Sequence, residues 1–335
     1  MSASAVQPLE RNGGGRKSSW VRALTSGAAI VTLLYVVLYA LYAMWEPRAL
    51  SSYTFTNLIN NAAPLAIAAA GETLVVLSRG FDLSVAGVVS LTNVFMAVWP
   101  MEGPGGALIS LLGCCAIGAV VGTVNGWLVA VLRLQTIAAT LGTMIVCQGL
   151  ALVILDAPGG MVADWVSYEL TGTLFGVVPI AGLIIAAVAL LWLVFLRTNT
   201  GIGIYAVGAD EQAAMLSGVS VTRVRFAAFV GAGMLYGVAG FMLSAQTATG
   251  NPNAGAPFLM LVFAAVALGG TSLSGGRGGL IGSIVGAGCL MLLQKVLFSG
   301  GVSSFYTGIF QGFVLILAIL FGRFMPRLFN AGAKK

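Results

Sequence analysis

Apolar runs separated by short polar intervals recur along almost the whole chain: Trp20 to about Trp45, then about 61 to 78, 83 to 100, 107 to 132, 134 to 155, 176 to 196, 224 to 245, 258 to 270, 280 to 298 and 304 to 322. An α-helix rises about 1.5 Å per residue, so ~20 apolar residues cross the ~30 Å hydrocarbon layer of a bilayer. The pattern therefore predicts an all-α polytopic membrane protein with about ten transmembrane helices. The first run is too long for the core of a cleavable signal peptide and follows a basic stretch, so it reads as a retained helix. Residues 1–19 are polar and read as a disordered cytoplasmic tail, 20–325 as a single transmembrane domain, and 326–335 as a cytoplasmic C-terminal tail.

Charge tests this map, because Lys and Arg collect on the inner side of a bacterial membrane protein. With the amino terminus inside and ten crossings, fourteen of the sixteen basic residues fall inside, and only Arg48 and Lys295 fall outside. Glu46, Glu102, Asp156, Asp164 and Glu169 then lie outside. The excess of positive charge thus follows membrane orientation and gives no reason to expect nucleic acid. Hydrophobic residues make up 59% of the chain and charged ones 8%, which leaves no room for a soluble domain of useful size. Histidine is absent, and Cys114, Cys115, Cys147 and Cys289 all sit in apolar runs, where they read as small buried hydrophobes. There is no phosphate-cradling G-x-x-x-x-G-K-[ST], no nucleophile with a histidine base and no metal constellation. Uphill movement of a solute would draw on an ion gradient or on another polypeptide.

Glycines recur at helical spacing, as Gly118, Gly122 and Gly126, as Gly233 and Gly237, and as Gly278, Gly282 and Gly286. Small residues four apart let transmembrane helices approach closely, so these predict tight helix crossings. Two intervals are unlike simple loops. Arg79–Ser84 joins two runs by a very tight polar turn, and Gly269–Gly279 ends a run too short to cross as a full helix. Non-helical backbone at that depth persists only when covered by protein or lining a wet cavity. Runs two to five and seven to ten would form two four-helix sets entered from opposite sides, although their sequences share too little to establish a repeat.

The longest polar interval is 197–225. Asp210 can cap a helix start and Gly218 can end one, which predicts a two-turn helix from about Asp210 to Ser217. So short a helix does not hold itself together in water and must lean on something. Ala213 and Ala214 would permit close approach, and Met215, Leu216 and Val219 would supply apolar grip.

Glu72 is the one acidic residue well inside an apolar run, and it reads either as a proton or pathway site or as a hydrogen-bonded tie between helices. Asp82 reads as a cap for the turn Leu83–Ala86, with Arg79 as a possible ion-pair partner. Asn125, Gln135, Gln148 and Gln294 are interhelical glue first and solute contacts second. The uncharged, turn-rich interval Gln246–Pro257 suits a covered or docking surface.

These segments resemble a known family. Leu77-Ser-Arg-Gly-Phe-Asp-Leu-Ser-Val85 is similar to the "GGIDLSVG" segment of the ribose-type permeases of bacterial ATP-binding-cassette importers. Thr140-Leu-Gly-Thr-Met144 with Gln148-Gly-Leu-Ala-Leu152 resembles their "TLGTM…RGLAL" helix. Ala206-Val-Gly-Ala-Asp-Glu-Gln-Ala-Ala-Met-Leu-Ser-Gly-Val219 resembles their "AIGGNEEAARLSGI" loop, and Asn251-Pro-Asn-Ala-Gly255 with Leu268–Gly278 resembles their "PNAG…LGGTSLSGGRG" region. The resemblance covers about residues 55–325. It implies a type II importer permease fold in the inner membrane, with both termini cytoplasmic. Two permease copies or paralogues would form the route for a monosaccharide or similar polyol. The partners it implies are a cytoplasmic ATPase, which uses the ATP, and a periplasmic sugar-binding protein; the permease itself carries no cofactor and does no chemistry. Asp210, Glu211, Ala213, Ala214, Ser217 and Gly218 become the ATPase-coupling contacts, and Glu72, Asp82, Asn125 and Gln148 the pathway candidates. Arg79 and Phe81 depart from the pattern, where relatives carry glycine and a small aliphatic residue. So do Phe258–Met260, where acidic residues are common, and Gln148, where arginine is common. The rival readings are a proton-coupled secondary transporter using Glu72 and a non-transporting membrane scaffold.

Overall fold

A computed structural model describes residues 27–303 together with 306, 308, 309, 312, 313 and 316. Both expected tails and most of the tenth run lie outside the described residues. The described chain forms α1 (Gly27–Trp45), α2 (Ser52–Leu77), α3 (Val85–Val98), α4 (Gly103–Gly126), α5 (Thr136–Ile154), α6 (Asp164–Thr171), α7 (Ile180–Phe195), α8 (Asn199–Ala209), α9 (Glu211–Leu216), α10 (Val221–Thr247), α11 (Phe258–Leu268) and α12 (Leu280–Ser299). A wide π-type turn, Trp127–Val131, follows α4, and a two-stranded hairpin, β1 (Thr173–Leu174) with β2 (Val178–Pro179), leads into α7.

Nine of the ten apolar runs hold one of these helices, and the tenth lies mostly outside the described residues. Among the described residues, six helices are long and apolar enough to cross a membrane on their own, one of them α4 continued through the π turn to Val131. α3 and α11 are shorter, and α7 and α8 form an apolar pair bent by 81° at the break between them. The two short helices adjoin the irregular intervals, α3 starting after 78–84 and α11 ending at 269–279, and the shortness of α11 is what its run length implied.

Helix α2 starts nine residues earlier than its apolar run. Ser51 caps it by accepting from Thr54 N, and the polar first turns are helical because their amides bond locally, as when Asn61 donates to Asn57 O at 2.7 Å. The 197–225 interval is also more ordered than its composition suggests. Thr198 caps α8, whose glycines weaken helix propensity but fit between close neighbours; a methyl group on Gly208 would collide with Leu77 O.

α2 and α10 form the centre. α10 lies against α2, α3 and α4; α12 lies against α1, α2 and α11; and α5 packs on α3 at the periphery with most of its surface open. The crossing of α4 with α10 confirms the glycine reading. A methyl on Gly118 would run into the Gly233 carbonyl, one on Gly233 into the Gly118 carbonyl, and one on Gly237 into the Cys114 carbonyl. Gly282 and Gly286 meet Gly269 O and Ala265 O in the same way where α12 crosses α11.

The loops sort into two ends. At one end, Arg79, Arg225 and the 271–279 interval lie together: Gly276 N donates to Leu77 O at 3.0 Å, and Tyr205 OH donates to Gly278 O at 2.9 Å. At the other, Glu102 caps α6 by accepting from Asp164 N at 2.8 Å and Trp165 N at 3.2 Å, and Gly159 pairs with Gly250. The arginine-rich end and the acidic end are those that the charge count separated.

We expect Gly233→Val to lower the stability of the purified protein in detergent by about 3 kcal/mol, because the overpacked carbonyls of α4 have no flexible side chain to yield. Gly142→Val, on the open face of α5 where nothing lies within 4 Å of the added carbon, serves as the neutral control in the same thermal unfolding measurement.

Candidate functional site

Between the end of α2 and α3 the chain leaves the helix for seven residues, 78–84, and a buried polar cluster forms around that break. Glu72 is fully buried on α2. Its Oε2 accepts from Tyr236 OH of α10 at 2.6 Å and its Oε1 from the backbone N–H of Asp82 at 3.2 Å. Gly71 makes room for this, since a methyl there would sit 2.8 Å from the Tyr236 ring. Asp82 turns its own carboxylate to Ser84, accepting from its N at 2.9 Å and its Oγ at 2.6 Å, and from Asn125 Nδ2 at 3.3 Å. Asn125 also donates to Ser84 Oγ at 2.9 Å and accepts from Thr143 Oγ1 at 2.7 Å, while Leu83 N donates to Thr140 Oγ1 at 3.1 Å. Four helices, α2, α4, α5 and α10, are thereby joined to the turn that begins α3.

Three of the four pathway candidates, Glu72, Asp82 and Asn125, thus meet in one place, but as a closed network with no exposed surface. In the single chain Glu72 and Asp82 accept N–H groups that the non-helical turn would otherwise strand in a dry interior, and Asn125 fixes the Asp82 and Ser84 side chains. Asp82 acts near α3 as expected of a cap, but through Ser84 and from full burial. The proposed Arg79–Asp82 pair does not form. Gln148 lies apart from the cluster, partly exposed on α5, where its Nε2 donates to Asn253 Oδ1 at 3.1 Å. Asp82 Oδ2 has no hydrogen-bonding partner among the described residues. No group of three or more His, Cys, Asp or Glu suited to a metal occurs among them either.

The interval Gln246–Pro257 is covered in part: Gly250, Pro252 and Gly255 are buried, while Thr247, Ala248, Thr249, Asn253, Ala256 and Pro257 are exposed. Asn251 N donates to Asn93 Oδ1, at 2.6 Å, and Gly255 N to Ser90 Oγ, at 2.9 Å, so α3 receives this loop as α2 receives the other. Sequence reasoning passed over Ser90, Asn93, Tyr236, Thr143 and Arg225. Each sits singly in an apolar stretch or at its edge, and only the observation that irregular backbone needs buried partners could have drawn attention to them.

At the arginine-rich end the short helix α9 stands out from the surface. Asp210 caps it by accepting from Ala213 N at 3.0 Å, and Gly218 ends it at φ +83°, so the reading of its limits holds. Its outer side presents Gln212, Ala213, Met215, Leu216 and Ser217, and Leu216 is 91% exposed. Ala214 points the other way and is 4% exposed, which corrects its expected place in an outward small-residue face. Glu211 is also occupied. Arg225 at the start of α10 grips it with both guanidinium nitrogens, Nη2 to Oε2 at 2.7 Å and Nη1 to Oε1 at 3.1 Å, while Arg225 Nε reaches Ser78 O at 3.5 Å. A bidentate pair of this kind fixes orientation as well as position.

Arg79 lies beside it with φ +64°, a left-handed backbone that costs a non-glycine residue about 1–2 kcal/mol. Its guanidinium donates from Nε to Gly208 O at 2.8 Å and from Nη2 to Ala209 O at 2.7 Å. These are carbonyls at the C-terminus of α8, where a cation is favoured by the helix dipole.

A helical membrane body with broken helices buried near its centre, and one capped apolar helix held out at its basic end, defines a permease subunit that works with other proteins. The chain belongs to the family described as "Branched-chain amino acid transport system / permease component", whose model matches residues 54–319. It is 35% identical to the ribose import permease protein RbsC of Bacillus subtilis (strain 168) over 86% of this chain and 90% of that protein. It is 33% identical to RbsC of Escherichia coli (strain K12) over 87% and 92%. It is also 30% identical to the galactose/methyl galactoside import permease protein MglC of Haemophilus influenzae, again over 87% and 92%. No solved structure matches the chain. It is a multi-pass permease subunit of an ATP-binding-cassette importer.

Tyr236→Phe leaves Glu72 Oε2 buried without a donor, and we expect it to cost about 2 kcal/mol in thermal unfolding. Gln148→Ala, at a partly exposed pair, should stay within about 0.5 kcal/mol.

Proposed function

We propose that this chain imports a monosaccharide or closely related polyol, forming with a second permease copy or paralogue the route through the membrane. Similarity to ribose and galactose permeases supports the solute class. A solute-binding protein delivers at the acidic end, which faces the periplasm; the basic end and both termini face the cytoplasm. The chain binds no cofactor and does no chemistry on the solute, and ATP is used by the partner ATPase. Any route between two copies runs along faces that are open in the single chain, so Glu72, Asp82 and Asn125 support it from behind.

The observation that carries this reading is α9. A six-residue helix with Leu216 almost wholly exposed is unstable in isolation and unfavourable in water, so its apolar tip is built to enter a groove on another protein. Asp210 and Gly218 set its limits, Glu211 and Ala214 seat it on the permease, and Ala213, Met215, Leu216 and Ser217 meet the ATPase. Leu216→Asp should leave membrane insertion intact while reducing ATPase binding and ATP-dependent uptake by at least about tenfold, since a buried unpaired charge in a docking pocket costs more than 1.4 kcal/mol. Unchanged uptake in that variant counts against the assignment.

A proton-coupled route through Glu72 requires a carboxylate reachable from a wet path. In proteoliposomes, uptake should need ATP on the ATPase side and persist when an uncoupler collapses the proton gradient; the opposite pattern establishes the rival.

A further inference from the structure

Three pieces of chain that are far apart in sequence meet behind α9, and two arginines hold them. Arg225 joins Glu211 on α9 to Ser78 O at the end of α2, and Arg79 joins the turn after α2 to Gly208 and Ala209, the two residues just before α9. Gly275 and Gly276 close over the junction. A methyl on Gly276 would sit 2.6 Å from Ala209 N, and one on Gly275 would sit 2.5 Å from Arg79 Cγ. From this junction the chain runs through Gly80 and Phe81 to Asp82, whose N–H is held by Glu72, and through Glu72 to Tyr236 on α10. A push on α9 therefore has a short, stiff path to the turn between α2 and α3.

Arg225 grips a side chain of α9 itself. Arg79 does something different, because it reaches from the turn to the backbone behind α9 and adopts a strained left-handed conformation while doing so. A glycine would occupy φ +64° freely, so the side chain at this position destabilises its own turn unless its two hydrogen bonds are needed. We infer that Arg79 is a positioning residue for energy coupling: it links movement of the ATPase-bound helix α9 to the buried turn that holds Asp82, and so to the membrane helices. This rests on α9 being the ATPase contact.

The test uses the complete importer, reconstituted with its own ATPase and solute-binding protein in proteoliposomes. The readout is stimulation of ATP hydrolysis by the binding protein added on the far face, which requires no knowledge of the sugar. Arg79→Gly should assemble fully and unfold close to the parent temperature, since relief of the left-handed strain offsets the loss of two partly exposed hydrogen bonds, yet its stimulation should fall on the order of fivefold or more, the range of an ordinary coupling energy. Arg79→Lys, which keeps the charge and one bond, should recover part of the stimulation without raising the unfolding temperature. A purely structural role predicts that stability and stimulation fall together. Full stimulation in Arg79→Gly, or loss of assembly or of thermal stability in that variant, overturns the inference. Leu216→Asp, run in parallel, separates the two claims: if that variant still assembles and responds, the ATPase contact lies elsewhere, and the reading beneath the inference is what fails.

Discussion

Backbone that leaves the helix inside a bilayer finds no water, and this single constraint organises the interior of the protein. Three irregular intervals run through or against its core, 78–84, 246–257 and 271–279, and each is met by a group placed to receive it. Glu72 and Thr140 accept N–H groups of the first, Asn93 and Ser90 those of the second, and the Leu77 carbonyl that of Gly276 in the third. An unmet amide in hydrocarbon costs several kcal/mol, so removing any of these acceptors removes the turn it supports. Polar side chains buried in a transporter invite the view that they touch the solute. Here they are the means by which broken helices exist at all.

The same turns bring the sequence-distant ends of α2, α8 and α12 to one place, directly behind the short external helix. α9 has no core of its own. Its rigidity comes from Asp210 at its start, Ala214 beneath it and Arg225 gripping Glu211. Its apolar tip is therefore held in a fixed orientation, and under the proposed coupling role the order needed for docking precedes contact.

Much of this was legible in the sequence, for reasons tied to particular residues. Run length and the sorting of Arg and Lys depend on the bilayer alone, so helix positions and the two ends could be read without tertiary information. Asp210 and Gly218 bound α9 through local backbone chemistry, and Gly118, Gly122, Gly233 and Gly237 announced a close crossing through spacing. What could not be read was which side chain meets which. Tyr236 and Glu72 are 164 positions apart, and nothing local distinguishes a carboxylate facing a solute from one holding a neighbour's amide. The helix α8 was hidden by its glycines, whose low propensity is overridden by contacts with Leu77, Val224 and Phe195. Arg79 looked like a partner for Asp82 because the two are adjacent in sequence, but the left-handed backbone turns it toward α8.

The crossing of α4 with α10 bears on how such a body changes shape. Carbonyls of each helix lie where the other has only hydrogen, so there is no cushion of side chains to repack between alternative arrangements. Sliding one helix along the other would drive oxygen into Cα. The pair behaves as a single girder, and any opening and closing of the passage must be accommodated around it, at the thinly covered α5 and at the 81° elbow between α7 and α8.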